Sequence, residues 1–225
     1  TYMATTGVII VAGGSGRRMG GTLPKQFMML DNEPILARSI NRMHEALPAA
    51  EIVVVLPEEH VELWRNIAAR FDVARHKIAL GGKERFHSVK SGLAALSNGI
   101  RTVAVHDAVR PLASKKLIIK LFLEAEKHTA VIPAVMPVDS YRVVDGEESK
   151  IIDRSLLRIV QTPQVFDASI LKEGYAMPES PDFTDDASVV EAIGRRIFLY
   201  DGDPDNIKIT YPRDIEHAEI IMRSK

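Results

Sequence analysis

The chain has 225 residues, 46% of them hydrophobic and 26% charged, enough for one sizeable core. A net charge of -1 excludes a surface built for general binding to nucleic acid or acidic lipid, and the lack of cysteine excludes disulfides and thiol catalysis while fitting a reducing compartment. No apolar run approaches the roughly 20 residues of a membrane span, and residues 1–6 lack the apolar core of a signal peptide, so a cytoplasmic protein with no membrane or nucleic-acid partner is expected.

Val8 to Val11 form a short, β-branched apolar run that reads as a strand covered on both faces. Gly13, Gly14 and Gly16 follow, able to take positive φ and to bring backbone N–H groups against a ligand, and Arg17, Arg18 and Lys25 add positive charge. Arg grips two phosphate oxygens at once and Lys acts as a mobile point charge, so the stretch suits a nucleoside triphosphate. A Walker loop fails for want of Gly-Lys-Ser/Thr, and a dinucleotide fingerprint fails because Met19 stands where its last glycine belongs. Pro24 forbids an unbroken helix, which leaves a long loop from Gly13 to about Gln26.

Pro34 suits the first position of a helix carrying Ile35, Ile40, Met43 and Leu47. Strands are then expected at Glu51 to Leu56 and Lys77 to Leu80, with a helix at Glu58 to Phe71 between them, the alternation of parallel βαβ units. A second glycine corner, Gly81-Gly82, leads into a helix bearing Ser88, Val89, Leu93 and Leu96, either as an ordinary turn or as a second wall of the ligand site. A fourth strand, Thr102 to Val105, runs into His106-Asp107. There Asp107 either caps the next helix or, beside phosphates, shares a magnesium ion with them. Helix Leu117 to His128 and strand Ala130 to Ala134 follow. Residues 137–152 then alternate loosely around Asp145-Gly146, as a hairpin arm that needs a partner surface. Arg196 to Tyr200 read as a strand and Pro212 to Met222 as a closing helix. The histidines lack zinc spacing, and no nucleophile elbow is present.

The segment AGGSGRRMGGTLPKQF (residues 12–27) resembles the signature of the 2-C-methyl-D-erythritol 4-phosphate cytidylyltransferases. His106 to Pro111 resembles the family's HDAARP string with Val109 for one alanine, and Gly81 to Ser88 its GG-x-x-R-x-x-S segment. Asp153-Arg154, Thr162-Pro163-Gln164, Thr184 to Ala187 and Asp205 to Thr210 also have counterparts, so the likeness spans Gly7 to Met222. Ser140 departs, standing for the usual threonine but keeping its hydroxyl.

The resemblance implies an α/β fold, a Rossmann-like, mostly parallel sheet with helices on both faces and a projecting β-hairpin arm. It implies one nucleotidyltransferase domain over residues 1–225, with 137–153 as an arm that embraces a second subunit in a homodimer. It implies transfer of CMP from CTP to a sugar-alcohol phosphate with magnesium or another divalent cation. Arg18, Lys25 and Asp107 would be catalytic, and Ala12, Gly13, Gly14, Gly16, Gly82 and Ser88 would bind nucleotide. Arg110, Ser140, Arg154, Thr162, Thr184 and Lys208 would bind the acceptor, and Asp107 and Asp205 the metal. A ribitol 5-phosphate cytidylyltransferase and a non-catalytic nucleotide-binding protein are the alternatives. An acceptor phosphate already ionised at neutral pH needs no general base, so catalysis should rest on positioning and charge stabilisation.

Overall fold

Buried runs of alternating destination build the centre of the molecule, whose computed structural model describes residues 5–13 and 23–225. In chain order the elements are β1 (Thr6–Val11), the short pair β2 (Met29–Leu30) and β3 (Glu33–Pro34), α1 (Ile35–Ala46), β4 (Glu51–Leu56), α2 (Glu58–Ala68), β5 (Lys77–Leu80) and α3 (Arg85–Ala95). Then come β6 (Thr102–Asp107), α4 (Lys115–His128), β7 (Ala130–Val135), the pair β8 (Tyr141–Asp145) and β9 (Glu148–Ile152), and β10 (Ile159–Val160). The chain closes with β11 (Gln164–Asp167), α5 (Ala168–Tyr175), α6 (Asp186–Ala192), β12 (Phe198–Asp201) and α7 (Pro212–Arg223).

Strands β5, β4, β1 and β6 are parallel neighbours in that order. Beyond them β11 pairs antiparallel with both β6 and β7, β10 runs antiparallel along β7, and β12 pairs parallel with β7. Side chains alternate across this sheet. Val8, Ile10 and Val54 pack with Leu36, Ile40, Trp64, Ile118 and Leu121 of α1, α2 and α4. Ile9, Val53 and Val105 pack on the opposite face with Val89, Leu93, Leu171 and Val190 of α3, α5 and α6. Val8, Ile9 and Ile10 are wholly buried, and each such side chain contributes about 1.5–3 kcal/mol. That is why β1 can be apolar without interruption. Helix α7 closes a third cluster around Leu30, Ile35 and Ile209.

Several elements differ from expectation. Pro34 is extended (φ -58°, ψ 143°) and pairs with Met29, so α1 begins one residue later. Helix α2 stops at Ala68, where Arg70 and Phe71 N–H groups turn to carbonyls three residues back. Helix α4 starts at Lys115 because the Ser114 hydroxyl accepts from the Leu117 N–H at 3.1 Å. Lys25–Phe27 form a 3-10 turn inside the expected loop, while Gly14, Gly16, Arg17 and Arg18 lie outside the described residues. Strands β8 and β9 form a separate two-stranded sheet, Tyr141 opposite Ile152 and Asp145 opposite Glu148, with Gly146 in the connection at φ +58°.

Candidate active site

Because β1, β4, β5 and β6 are parallel, their carboxyl ends share one edge, where open sheets place ligands. Ladder-like hydrogen bonds carry the order past the strands: Ala12 N–H donates to Val55 C=O at 2.9 Å, Gly81 N–H to Leu56 C=O at 2.7 Å, and Ala108 N–H to Val11 C=O at 3.1 Å. A cleft of about 290 Å³ opens there. Its walls include Ala12 and Gly13 after β1, Lys25 and Gln26, Gly82 to Arg85 and Ser88 around the start of α3, Asp107 to Val109 after β6, and Lys208.

The two glycine corners meet through Ser88, whose hydroxyl accepts from Gly82 N–H at 3.2 Å. A Cβ on Gly82 would lie 2.2 Å from the Cβ of His87 and 3.3 Å from its backbone, so only glycine fits. Gly13 is different: it does not adopt the positive φ expected of it, and a Cβ there would reach only Ser88 Oγ, at 3.7 Å. Its lack of a side chain keeps the cleft open. Gln26 Nε2 donates to Ala12 C=O at 2.9 Å, tying the 3-10 turn, and with it the buried Lys25, to the end of β1.

Asp107 is the charge centre. Arg110 lies 3.4 Å from its carboxylate, and Arg85 and Lys208 each lie 3.6 Å away. Burial alone would raise the carboxyl, but Arg85, Lys208 and Arg110 overrule it and hold it down at about 2. Arg85 also pairs with the fully buried Asp186 at 2.9 Å, and Tyr175 donates its hydroxyl to the other Asp186 oxygen. Neither Arg85 nor Asp186 was among the expected site residues.

Below Asp107 lies a buried polar group. Asp107 N–H donates to Thr162 Oγ1 at 3.0 Å, Thr162 Oγ1 meets His106 Nδ1 at 3.0 Å, and His106 Nε2 meets the Arg110 carbonyl oxygen at 2.9 Å. Asn206 Nδ2 donates to Thr162 C=O at 2.8 Å, and Arg110 Nη1 to Asn206 C=O at 2.9 Å. Burial pushes the His106 imidazole down to about 4, so it is neutral.

The structure thus brings Ala12, Gly13, Lys25, Gly82, Ser88, Asp107 and Lys208 to one cleft, with Arg110 and Thr162 immediately beside Asp107. Ser140, Arg154 and Thr184 are exposed and do not line it, Arg154 reaching instead to the Val138 carbonyl. Asp205 does not line it either: its carboxylate lies 3.2 Å from Lys225. Among the described residues no group of three or more metal-ligating side chains is found, and no helix is long and apolar enough to cross a membrane.

Known proteins share this arrangement over nearly the whole chain. The family model IspD: 2-C-methyl-D-erythritol 4-phosphate cytidylyltransferase matches residues 6–224. The 2-C-methyl-D-erythritol 4-phosphate cytidylyltransferase of Bacteroides fragilis is 46% identical over 216 residues, covering 95% of this chain and 98% of that protein. The protein of the same name from Carboxydothermus hydrogenoformans is 36% identical over 224 residues, covering 98% and 96%. The crystal structure of 4-diphosphocytidyl-2C-methyl-D-erythritolsynthase from Anaerococcus prevotii superposes with a TM-score of 0.82 at 26% identity, covering 97% of this chain and 98% of that one. The 2-C-methyl-D-erythritol 4-phosphate cytidylyltransferase of Thermus thermophilus gives 0.78 at 29%, covering 96% and 98%. A family model matched from residue 6 to residue 224, with relatives of 36 to 46% identity over nearly the full length of both chains, means that the chain belongs to the 2-C-methyl-D-erythritol 4-phosphate cytidylyltransferase family.

Proposed function

We infer that this chain transfers the cytidylyl group of CTP to 2-C-methyl-D-erythritol 4-phosphate, giving 4-diphosphocytidyl-2-C-methyl-D-erythritol and pyrophosphate in non-mevalonate isoprenoid biosynthesis. The observation that carries the reading is the convergence of separate motifs, around Gly13, Gly82, Asp107 and Lys208, on one cation-rich cleft at the carboxyl edge of the sheet. An oxygen of the acceptor phosphate attacks the α-phosphorus of CTP as the bond to pyrophosphate breaks. No proton need be removed from an ionised phosphate, so the chain's task is to hold two anions in line and absorb charge.

Ala12, Gly13, Gly82 and Ser88, with Gly14 and Gly16, take the nucleotide. The small residues leave the backbone accessible, and the Ser88 hydroxyl still has its own proton to donate. Lys25, in the wall of the cleft, and Arg18, by its place in the family motif, would neutralise the charge that grows at the α-phosphate. Arg110 and Lys208, both beside Asp107, take the acceptor phosphate, with Thr162, Thr184, Ser140 and Arg154 completing its pocket. Thr162 can offer a ligand only a lone pair, because its proton is directed at His106.

Asp107 fits a magnesium ion: one ionised carboxylate beside a phosphate site is the donor set that this cation uses, the remaining ligands being phosphate oxygens and water. When bound, the cation would shield phosphate from carboxylate charge. Asp205 stands as the second metal position, though its ion pair with Lys225 competes for the carboxylate.

Residues 1–225 act as one cytoplasmic nucleotidyltransferase domain, with 137–153 as a homodimer arm. Val138, Val144 and Ile151 on and beside the β8–β9 hairpin are 83, 71 and 74% exposed, apolar surface that a second copy would cover. Magnesium-dependent pyrophosphate release from CTP, with methylerythritol 4-phosphate and ribitol 5-phosphate offered separately, tests the reading. Release with the first alone is expected, and release with the second alone moves the chemistry to another acceptor. Equilibrium sedimentation of Val144→Asp tests the arm, with a shift to monomer expected.

A further inference from the structure

We propose that His106 is a positioning residue of the cytidylyl-transfer site, locking Asp107, Arg110 and the segment carrying Lys208 into one rigid frame. The proposal rests on the cytidylyltransferase reading for its kinetics and on hydrogen-bond direction for its geometry. The Arg110 carbonyl, 2.9 Å from Nε2, is an acceptor that requires a donor, so Nε2 carries a ring proton. In the neutral ring Nδ1 then has only a lone pair, and the Thr162 hydroxyl, which accepts from Asp107 N–H, gives its own proton to it. Both ring nitrogens are committed, and of the two neutral tautomers only Nε2–H satisfies both partners.

These bonds close a circuit. Thr162 C=O accepts from Asn206 Nδ2, and Asn206 C=O accepts from Arg110 Nη1, which returns to His106 through the Arg110 carbonyl. Three stretches far apart in sequence are joined: the turn after β6, the connection between β10 and β11, and the segment before Lys208. His106 is 1% exposed and Asn206 fully buried, so water does not compete for these bonds, and an opened circuit leaves buried polar groups unpaired. Asp107 and Arg110 stand at the two ends of the turn that His106 spans, and Lys208 follows Asn206 by two residues. A histidine that merely filled space would need neither partner.

Phenylalanine keeps the ring and its apolar packing but loses both bonds, whereas glutamine restores a donor near the Nε2 position and asparagine an acceptor near Nδ1. His106→Phe is expected to lower kcat about 10- to 100-fold, as a misplacement near 1 Å does. The KM for methylerythritol 4-phosphate should rise more than the KM for CTP, whose contacts lie on other segments, and H106Q or H106N should recover part of kcat although phenylalanine packs better. Wild-type kcat in H106F, or equal kcat in all three variants, would overturn the proposal. Should H106F not fold, nitrogen-15 spectra of the wild-type imidazole decide: a neutral ring protonated on Nε2, with the Nδ1 resonance moving in Thr162→Val, is expected, and a ring protonated on Nδ1 overturns it. That spectrum requires no substrate, so it separates failure of the frame from failure of the assigned reaction.

Discussion

Arg85 and Asp186, 101 residues apart in the chain, meet at 2.9 Å beside the cleft, and the same guanidinium lies 3.6 Å from Asp107. One cation thus links a wholly buried carboxylate to the charge centre of the site. Asp186→Asn keeps the shape and removes the charge. Losing one partner of a buried pair costs about 3–5 kcal/mol, and the lower end applies because Arg85, one-third exposed, can turn to solvent. A loss of about 3 kcal/mol in urea unfolding is expected, together with reduced turnover as Arg85 shifts toward Asp107. Unchanged stability and turnover would show the link to be idle.

Tyr175 should betray this buried pair in alkali. Burial first, then the Asp186 carboxylate, pushes its phenol far above the ordinary value near 10. The folded chain keeps this proton where the unfolded chain releases it, so the stability it contributes is full below pH 10 and is lost as pH rises beyond. In an ultraviolet titration of the five tyrosines, one should ionise only as the chain unfolds, and Tyr175→Phe should abolish that late step. A Tyr175 that titrates in the folded state near pH 10 contradicts the geometry.

Two glycines of the cleft make opposite forecasts. A Cβ at Gly82 meets the Cβ of His87 at 2.2 Å, so Gly82→Ala must displace the start of α3 and is expected to cost about 1–3 kcal/mol as well as CTP affinity. A Cβ at Gly13 meets only a hydroxyl at 3.7 Å, so Gly13→Ala should leave stability within about 0.5 kcal/mol while weakening CTP binding. Calorimetric titration beside thermal melts separates the two effects. Intact CTP affinity in G13A would remove Gly13 from the nucleotide site.

Lys25 tests the charge-absorbing role. It is buried in the wall of the cleft, within a turn tied to Ala12 through Gln26. Loss of one preorganised donor to transition-state charge costs about 3 kcal/mol, so Lys25→Ala should lower kcat by roughly a hundredfold or more. Steady-state pyrophosphate release measures this, and near-wild-type turnover would end the assignment.

The parallel half of the sheet was legible because each strand is a short apolar run with a clear stop: Val8 to Val11 before Ala12-Gly13, Glu51 to Leu56 before Pro57, and Thr102 to Val105 before His106-Asp107, the last strand running two residues further than expected. Gly82 and Asp107 were legible because each stands where a strand ends, and Ser88, in the first turn of α3, through the motif it shares with Gly82. Strand β11 was not. Gln164 to Asp167 is four residues long and follows a proline, and its burial comes from partners distant in sequence or not foreseen, β6 and β7 on either side with α4 and α5 over its faces. Helices α5 and α6 were missed although Asp167 and Asp185 cap them, because seven or eight residues give too little periodicity. Arg85 and Asp186 escaped notice because neither is unusual until the other is beside it. Thr162 was read as an acceptor-binding residue from its motif alone; that its hydroxyl also joins His106 and Asp107 depends on contacts 55 and 56 residues away along the chain.

The antiparallel insertion of β11 between β6 and β7 also orders events in time. Gln164 opposes Val105 and Val165 opposes Val131, so two strands made early stay apart until a later segment threads between them. Closing so long a loop carries an entropic cost before any contact rewards it. During synthesis the glycine corners after β1 and β5 can form while Thr162 and Asn206 have yet to emerge. The half of the cleft built on Asp107 is therefore the last to be made, and a ribosome stalled before β11 would display an unfinished sheet edge to chaperones.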